Sequence, residues 1–229
     1  MPDPLDAHDP RDVQLRAELV ATVRRLDALG LNRGSTGNAS VRGAKDRAAF
    51  WISPTGMGAD EFGADDLVLV HDDGHAQGPW HPSTEWPFHR AIYRARADLA
   101  AVVHVHSVNA TALACLRRGL PAFHYMVAIA GGDSVPCTPY HLFGTESLSR
   151  AVAEAFRDRN ACLMANHGLV AAAATLAQAM KLALEIEALC EAYLKALAVG
   201  EPVLLSDEEM AEVIRKFKTY GKTAKRLTD

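Results

Sequence analysis

The sequence predicts an α/β fold in which a mostly antiparallel sheet carries helices on both faces. Capped segments of helical period alternate irregularly with short apolar runs, and Asp72-Asp73-Gly74 joins two of those runs as a hairpin turn. Irregular alternation with hairpins favours antiparallel pairing over the strict βαβ repeat of a parallel sheet. With 229 residues, 49% of them hydrophobic, and no Pro/Ser-rich linker or charge block, residues 1–229 read as a single domain.

The elements follow in chain order. Asp9-Pro10 opens the first helix, with a capping side chain before a residue whose missing N–H costs nothing there. Leu15, Leu19, Val23, Leu26 and Leu29 recur at helical spacing up to Gly30. The loop Asn32 to Ser40 then leads into a strand over 39–42, and 49–52 forms a second strand ending in Ser53-Pro54-Thr55-Gly56. Residues 67–71 make the strand before the hairpin turn. Pro82-Ser83-Thr84 opens a helix carrying Glu85, Phe88, Ile92 and Tyr93. A strand through His104, a helix over 108–116 and a helix starting at Thr145 come next. Strands at 161–165 and 169–173 flank Asn166-His167-Gly168. Thr175-Leu176-Ala177-Gln178 caps a long helix with the stripe Leu182, Ile186, Leu189, Tyr193 and Leu197, reaching about Gly200. Ser206-Asp207-Glu208-Glu209 caps a terminal helix ending near Phe217 to Gly221.

Composition removes several classes of function. A net charge of −4 and a pI near 6.2, with scattered arginines, leave no basic footprint for nucleic acid. The longest apolar stretches, such as 168–174, are far short of a membrane span, and the acidic, proline-bearing start lacks the regions of a signal peptide. Cys115, Cys137, Cys162 and Cys190 are widely spaced and read as reduced core residues, which points to the cytoplasm.

The chemistry concentrates at His104-Val105-His106. Side chains two apart on a strand share a face, so both imidazoles point the same way while Val103 and Val105 enter the opposite layer. A single histidine on an apolar strand is more often a hydrogen-bonded core residue than a ligand. Glu85 and His167 supply the further ligands that change this reading. Three histidines and a carboxylate suit zinc or a similar borderline divalent ion, and they leave room for a substrate in the coordination sphere. The loops Asn32 to Ser40 and Ser53 to Met57, with Ser83 and Thr84 at a helix N-terminus, supply hydroxyls and backbone N–H groups for an anion. Each loop alone reads as turn chemistry, and neither is a P-loop nor a dinucleotide fingerprint. The residues therefore describe a metal-dependent enzyme acting on a phosphorylated carbonyl compound by way of an enediolate.

Gly34-Ser-Thr-Gly-Asn38-Ala-Ser40, Ser53-Pro-Thr-Gly56, Pro82-Ser-Thr-Glu85-Trp86, His104-Val-His106 and Asn166-His-Gly168, in this order, resemble the class II aldolase/adducin family over nearly the whole chain. Phe123-His-Tyr-Met126, Ala130-Gly-Gly132, Pro139-Tyr140, Phe143-Gly-Thr145 and Phe217-Lys-Thr-Tyr-Gly221 resemble the branch that cleaves L-fuculose 1-phosphate. The resemblance implies a three-layer αβα fold and a homotetramer with active sites between adjacent subunits. It implies one Zn2+ per subunit on His104, His106 and His167, with Glu85 as both ligand and acid/base. Phosphate would be held by Asn38, Thr55, Gly56, Ser83 and Thr84, with Ser35 nearby. Tyr125 would act across the subunit interface, and Tyr220 would be a second active-site tyrosine. Ser35 and Thr84 each carry a hydroxyl residue where the family favours the other one. The implied reaction is cleavage of L-fuculose 1-phosphate to dihydroxyacetone phosphate and L-lactaldehyde. An L-ribulose-5-phosphate 4-epimerase shares part of this chemistry but differs at the C-terminal motif. A noncatalytic adducin-like interaction domain would not need the intact ligand set.

Overall fold

The computed structural model describes residues 9–217. Six helices, α1 (Pro10–Ala28), α2 (Trp86–Ala95), α3 (Val108–Cys115), α4 (Glu146–Ala155), α5 (Leu176–Val199) and α6 (Asp207–Phe217), surround one eight-stranded sheet. Its strands are β1 (Asn38–Arg42), β2 (Phe50–Ile52), β3 (Val68–Val70), β4 (Ala76–Gln77), β5 (Ala101–Val105), β6 (Cys137–Thr138), β7 (Ala161–Met164) and β8 (Gly168–Ala173). The order is β4-β3-β2-β1-β5-β8-β7-β6, with β6 and β7 as the one parallel pair. The expected mostly antiparallel, three-layer architecture is the one observed.

Side-chain alternation sorts the central strands into two cores. Val103 and Val105 of β5, Leu169 and Ala171 of β8, and Leu163 of β7 pack with α1, α3 and α5. Val102, Val170, Ala172, Cys162 and Met164 face the layer of α2 and α4, against Phe88, Ile92, Leu148 and Phe156. Being apolar on both faces, β5, β7 and β8 show no polar alternation in the sequence. Each fully buried valine or leucine removes apolar surface from water worth about 2 kcal/mol.

Four of the predicted helix starts hold. Asp9 accepts from the Arg11 amide, Thr145 Oγ1 from the Leu148 amide and Thr175 Oγ1 from the Gln178 amide. The Ser206 box is reciprocal, Ser206 N donating to Glu209 Oε2 at 2.7 Å and Glu209 N to Ser206 Oγ at 3.2 Å. Glu85 stands just before α2 rather than within it, and its side chain makes no capping bond. The structure corrects one detail of the first helix. Leu29, assigned to the buried stripe, is 38% exposed, because the α1 face turned inward is partly polar. Asp12 Oδ1 there accepts from Trp51 Nε1 and from the Ala44 amide, both at 3.0 Å, and Arg16 lies over the same indole. Buried polar groups with partners in place substitute for the leucines that periodicity alone expects.

Register and turns then set the site. Asn38 on β1 pairs with His104 on β5, so both side chains emerge side by side toward α2. The β7–β8 hairpin pairs Met164 with Gly168, and its turn carries His167 back over β5.

Candidate active site

Three histidines meet above the β5–β8 pair. Ligand nitrogens of His104, His106 and His167 all lie within 4.8 Å of one another. The Nε2 atoms of His104 and His106 are 2.9 Å apart, and Glu85 brings Oε2 to 3.2 Å from His104 Nε2 and Oε1 to 3.2 Å from His167 Nε2. The tautomer of His104 follows from its other nitrogen: Nδ1 donates to the Leu169 carbonyl at 3.0 Å, leaving a lone pair on Nε2. Glu85 Oε1 is buried with no hydrogen-bond partner. Three imidazole nitrogens converging beside a buried carboxylate oxygen that has no hydrogen-bond partner fit a divalent cation.

Electrostatics agree with that fit. Burial pushes His104 down to about 3, opposed by the neighbouring Glu85 carboxylate, and burial also lowers His106. Burial acts to raise Glu85, but the His104 and His167 imidazoles and the Asn38 amide outweigh it and hold the carboxyl well below the usual carboxylate range. Neutral imidazoles and an ionised carboxylate are the protonation states that bind metal.

The backbone around the cluster is specialised. Asn166 adopts φ +56°, a left-handed conformation that asparagine tolerates, and its amide donates to the Ala114 carbonyl at 3.0 Å. A Cβ at Gly168 would lie 2.5 Å from the Val105 carbonyl oxygen and 3.1–3.2 Å from the rings of His106 and His104. Only glycine lets β8 pass this close beneath the ligands. On the other side, Asn32 Oδ1 accepts from the His106 amide at 3.1 Å. Glu187 on α5 accepts from Ser107 Oγ and from the amides of Asn109 and Ala110, at 2.7–2.9 Å, holding the turn that follows His106.

A cavity of about 370 Å³ opens next to the histidines. Its walls include all six residues assigned to phosphate: Ser35, Asn38, Thr55, Gly56, Ser83 and Thr84. Loops distant in sequence converge because Ser83 N donates to Ser53 O and Thr55 N to His81 O, both at 3.0 Å. Among the described residues no lysine or arginine lines this cavity, so an anion would depend on hydroxyls, backbone N–H groups and the N-terminus of α2. Tyr140, His141 and Phe143 form its rim. Sequence reasoning did not assign them, and their only signal was the Pro139 to Thr145 motif. Tyr125 does not line this cavity; it is half exposed in a 3₁₀ turn, near Phe217. Tyr220 lies outside the described residues.

Comparison with known proteins adds to this geometry. Residues 17–194 match the family described as Class II Aldolase and Adducin N-terminal domain. The chain belongs to that family. A 5-methylthioribulose-1-phosphate/5-deoxyribulose-1-phosphate aldolase of Rhodospirillum rubrum is 45% identical over 212 residues, 93% of this chain and 95% of that protein. An L-fuculose phosphate aldolase of Escherichia coli is 44% identical over 209 residues, 91% of this chain and 96% of that protein. A solved L-fuculose 1-phosphate aldolase aligns with a TM-score of 0.86 at 38% identity, covering 90% of this chain and 96% of that one. As a class II aldolase the protein is a lyase acting on a carbon–carbon bond. No helix among the described residues is long and apolar enough to cross a membrane.

The buried histidines give a pH prediction for the metal-free protein. His104 and His89 are both pushed down to about 3 by burial, against about 6.5 in an unfolded chain. Between these values the unfolded state binds the extra protons, so the stabilising contribution is complete above pH 6.5 and is lost as pH falls toward 3. Two such protons correspond to roughly 3 kcal/mol per pH unit. Urea unfolding in chelator at pH 5.5 and pH 4.5 should show a loss of at least that order; equal stability at the two values would contradict the neutral buried assignment.

Proposed function

We propose that this class II aldolase is zinc-dependent and cleaves a ketose 1-phosphate between C3 and C4, giving dihydroxyacetone phosphate and a short aldehyde. The convergence of three imidazoles and Glu85 beside a hydroxyl-lined anion cavity carries the reading. His104, His106 and His167 would hold the ion, with Glu85 as the fourth ligand. A zinc ion in that position polarises a carbonyl oxygen and offsets the negative charge that develops as the bond breaks.

The chain's own residues account for the remaining steps. Ser35, Thr55, Gly56, Ser83 and Thr84 bind the phosphate, and Asn38 adds the amide hydrogen not used on Glu85. Anchoring the phosphate fixes C3 near the Glu85 carboxylate. In cleavage, the C4 hydroxyl gives up its proton, the C3–C4 bond breaks and the aldehyde departs. Glu85 takes up one proton from solvent, balancing the one released from the C4 hydroxyl, and delivers it to C3 of the enediolate; in synthesis the same carboxylate removes it. Tyr125 is assigned to the proton on the aldehyde oxygen. Its half-exposed position away from its own cavity supports delivery by a neighbouring subunit, in a homotetramer whose active sites lie between subunits. Tyr220, which lies outside the described residues, is assigned as a second active-site tyrosine. All four cysteines are free, in keeping with a cytoplasmic enzyme.

L-Fuculose 1-phosphate is the expected substrate. The relative that acts on 5-methylthioribulose 1-phosphate and 5-deoxyribulose 1-phosphate is about as similar as the fuculose phosphate aldolase, so both belong in one assay. All three compounds are 1-phosphates ending in an apolar group, and the aromatic rim of Tyr140 and Phe143 suits such an end. With these three substrates and L-ribulose 5-phosphate, release of dihydroxyacetone phosphate should be fastest from L-fuculose 1-phosphate and should stop on chelation. Epimerisation of ribulose 5-phosphate without release of fragments would overturn the aldolase reading of this site.

The proton assignments make a second, independent prediction. Zinc-loaded Glu85→Gln should lose about 10²- to 10⁴-fold in both cleavage and exchange of the C3 hydrogen of dihydroxyacetone phosphate with deuterated water. Tyr125→Phe should slow cleavage while leaving that exchange intact. Full exchange by zinc-loaded Glu85→Gln would remove Glu85 from the proton-transfer role.

A further inference from the structure

Beneath Glu85 and Asn38 runs a line of buried polar side chains, His89, Ser40 and Tyr93, that the reaction does not use. Tyr93 OH lies 2.8 Å from Ser40 Oγ, and Ser40 Oγ lies 2.7 Å from His89 Nδ1. His89 Nε2 lies 2.6 Å from Asn38 Oδ1, and Asn38 Nδ2 donates to Glu85 Oε2 at 2.9 Å. His89, Ser40 and Tyr93 line no part of the cavity. We infer that His89 is a positioning residue that fixes the Asn38 amide and, through it, the aim of the Glu85 carboxylate at the metal.

The direction of each bond follows from the one before it. An ionised carboxylate only accepts, so Asn38 must turn its nitrogen toward Glu85. Oδ1 is then left facing His89, whose Nε2 must carry the proton. Nδ1 in turn accepts from the Ser40 hydroxyl, and the Ser40 oxygen accepts from Tyr93. Burial keeps His89 neutral, as this arrangement of one donor and one acceptor nitrogen requires. Backbone geometry supplies the spacing: Asn38 and Ser40 are two apart on β1, while Glu85, His89 and Tyr93 are four apart along one face of α2 and its N-cap. Without the His89 donor, only the Glu85 carboxylate still sets the amide's orientation, and a flip that places Oδ1 against the Glu85 oxygen becomes less unfavourable. The same flip would turn a carbonyl oxygen toward the anion cavity.

This inference rests on the metal-site reading proposed above, and zinc affinity tests the two separately. The zinc dissociation constant is measured by chelator competition for the wild type, His89→Leu, Asn38→Ala and the double variant. Thermal unfolding of each metal-free protein serves as the control. Loss of a partner that orients a ligand should weaken zinc binding by about 10- to 100-fold in each single variant. Because His89 acts through Asn38, the double variant should bind no more weakly than Asn38→Ala alone. His89→Gln, whose terminal amide can donate to Asn38, should recover much of the loss. If His89→Leu does not fold, Ser40→Ala takes its place in the cycle, since it removes the hydroxyl that fixes the His89 tautomer. Wild-type zinc affinity in the His89 or Ser40 variant, or losses that multiply in the double variant, would overturn the inference. A wild type that binds no zinc would overturn the metal reading itself.

Discussion

The rest of the site is arranged around two imidazole nitrogens, Nε2 of His104 and of His106, held 2.9 Å apart. Left to themselves, buried histidines at that distance would share a proton or separate. Here His104 commits its Nδ1 proton to the Leu169 carbonyl, so Nε2 faces inward as an acceptor. His167 reaches the same point because Asn166 accepts a left-handed conformation, and Gly168 can do without a side chain where β8 passes beneath the rings. Each is a local backbone specialisation made tolerable by a rigid double-sided sheet. The Glu85 carboxylate is buried among these imidazoles with Oε1 lacking a hydrogen-bond partner, an arrangement that a divalent cation would satisfy.

The anion end works on a different principle. The cavity gathers hydroxyls and backbone N–H groups from three loops stitched together by the Ser83–Ser53 and Thr55–His81 bonds. Asn38 touches both ends, with one amide hydrogen on Glu85 and the other free to face the cavity. In the proposed reaction, binding energy from the non-reacting phosphate would hold the reacting carbon in place.

Much of this was legible in the sequence because it rested on short-range rules. The i, i+2 spacing of His104 and His106 predicts a shared face, and the caps at Asp9, Thr145, Thr175 and Ser206 mark helix starts that the structure reproduces. The six residues expected at phosphate came from the family resemblance rather than from spacing, and they line a single cavity. What escaped was polar burial arranged by tertiary contact. Asp12 and Arg16 sit on the inward face of α1 because Trp51 meets them there, so Leu29 is left outward. His89 and Glu187 each look like an ordinary helix-surface residue until the opposite strand or helix is in place. The i, i+4 spacing from Glu85 through His89 to Tyr93 was visible, but apolar periodicity counted only Tyr93.

X-ray absorption at the zinc edge of the reconstituted, substrate-free protein tests the central claim most directly. The account predicts about one zinc per chain, with three imidazole ligands and one carboxylate oxygen at about 2.0–2.2 Å. A sulfur shell near 2.3 Å, or fewer than three imidazoles, would contradict it and place the ion elsewhere.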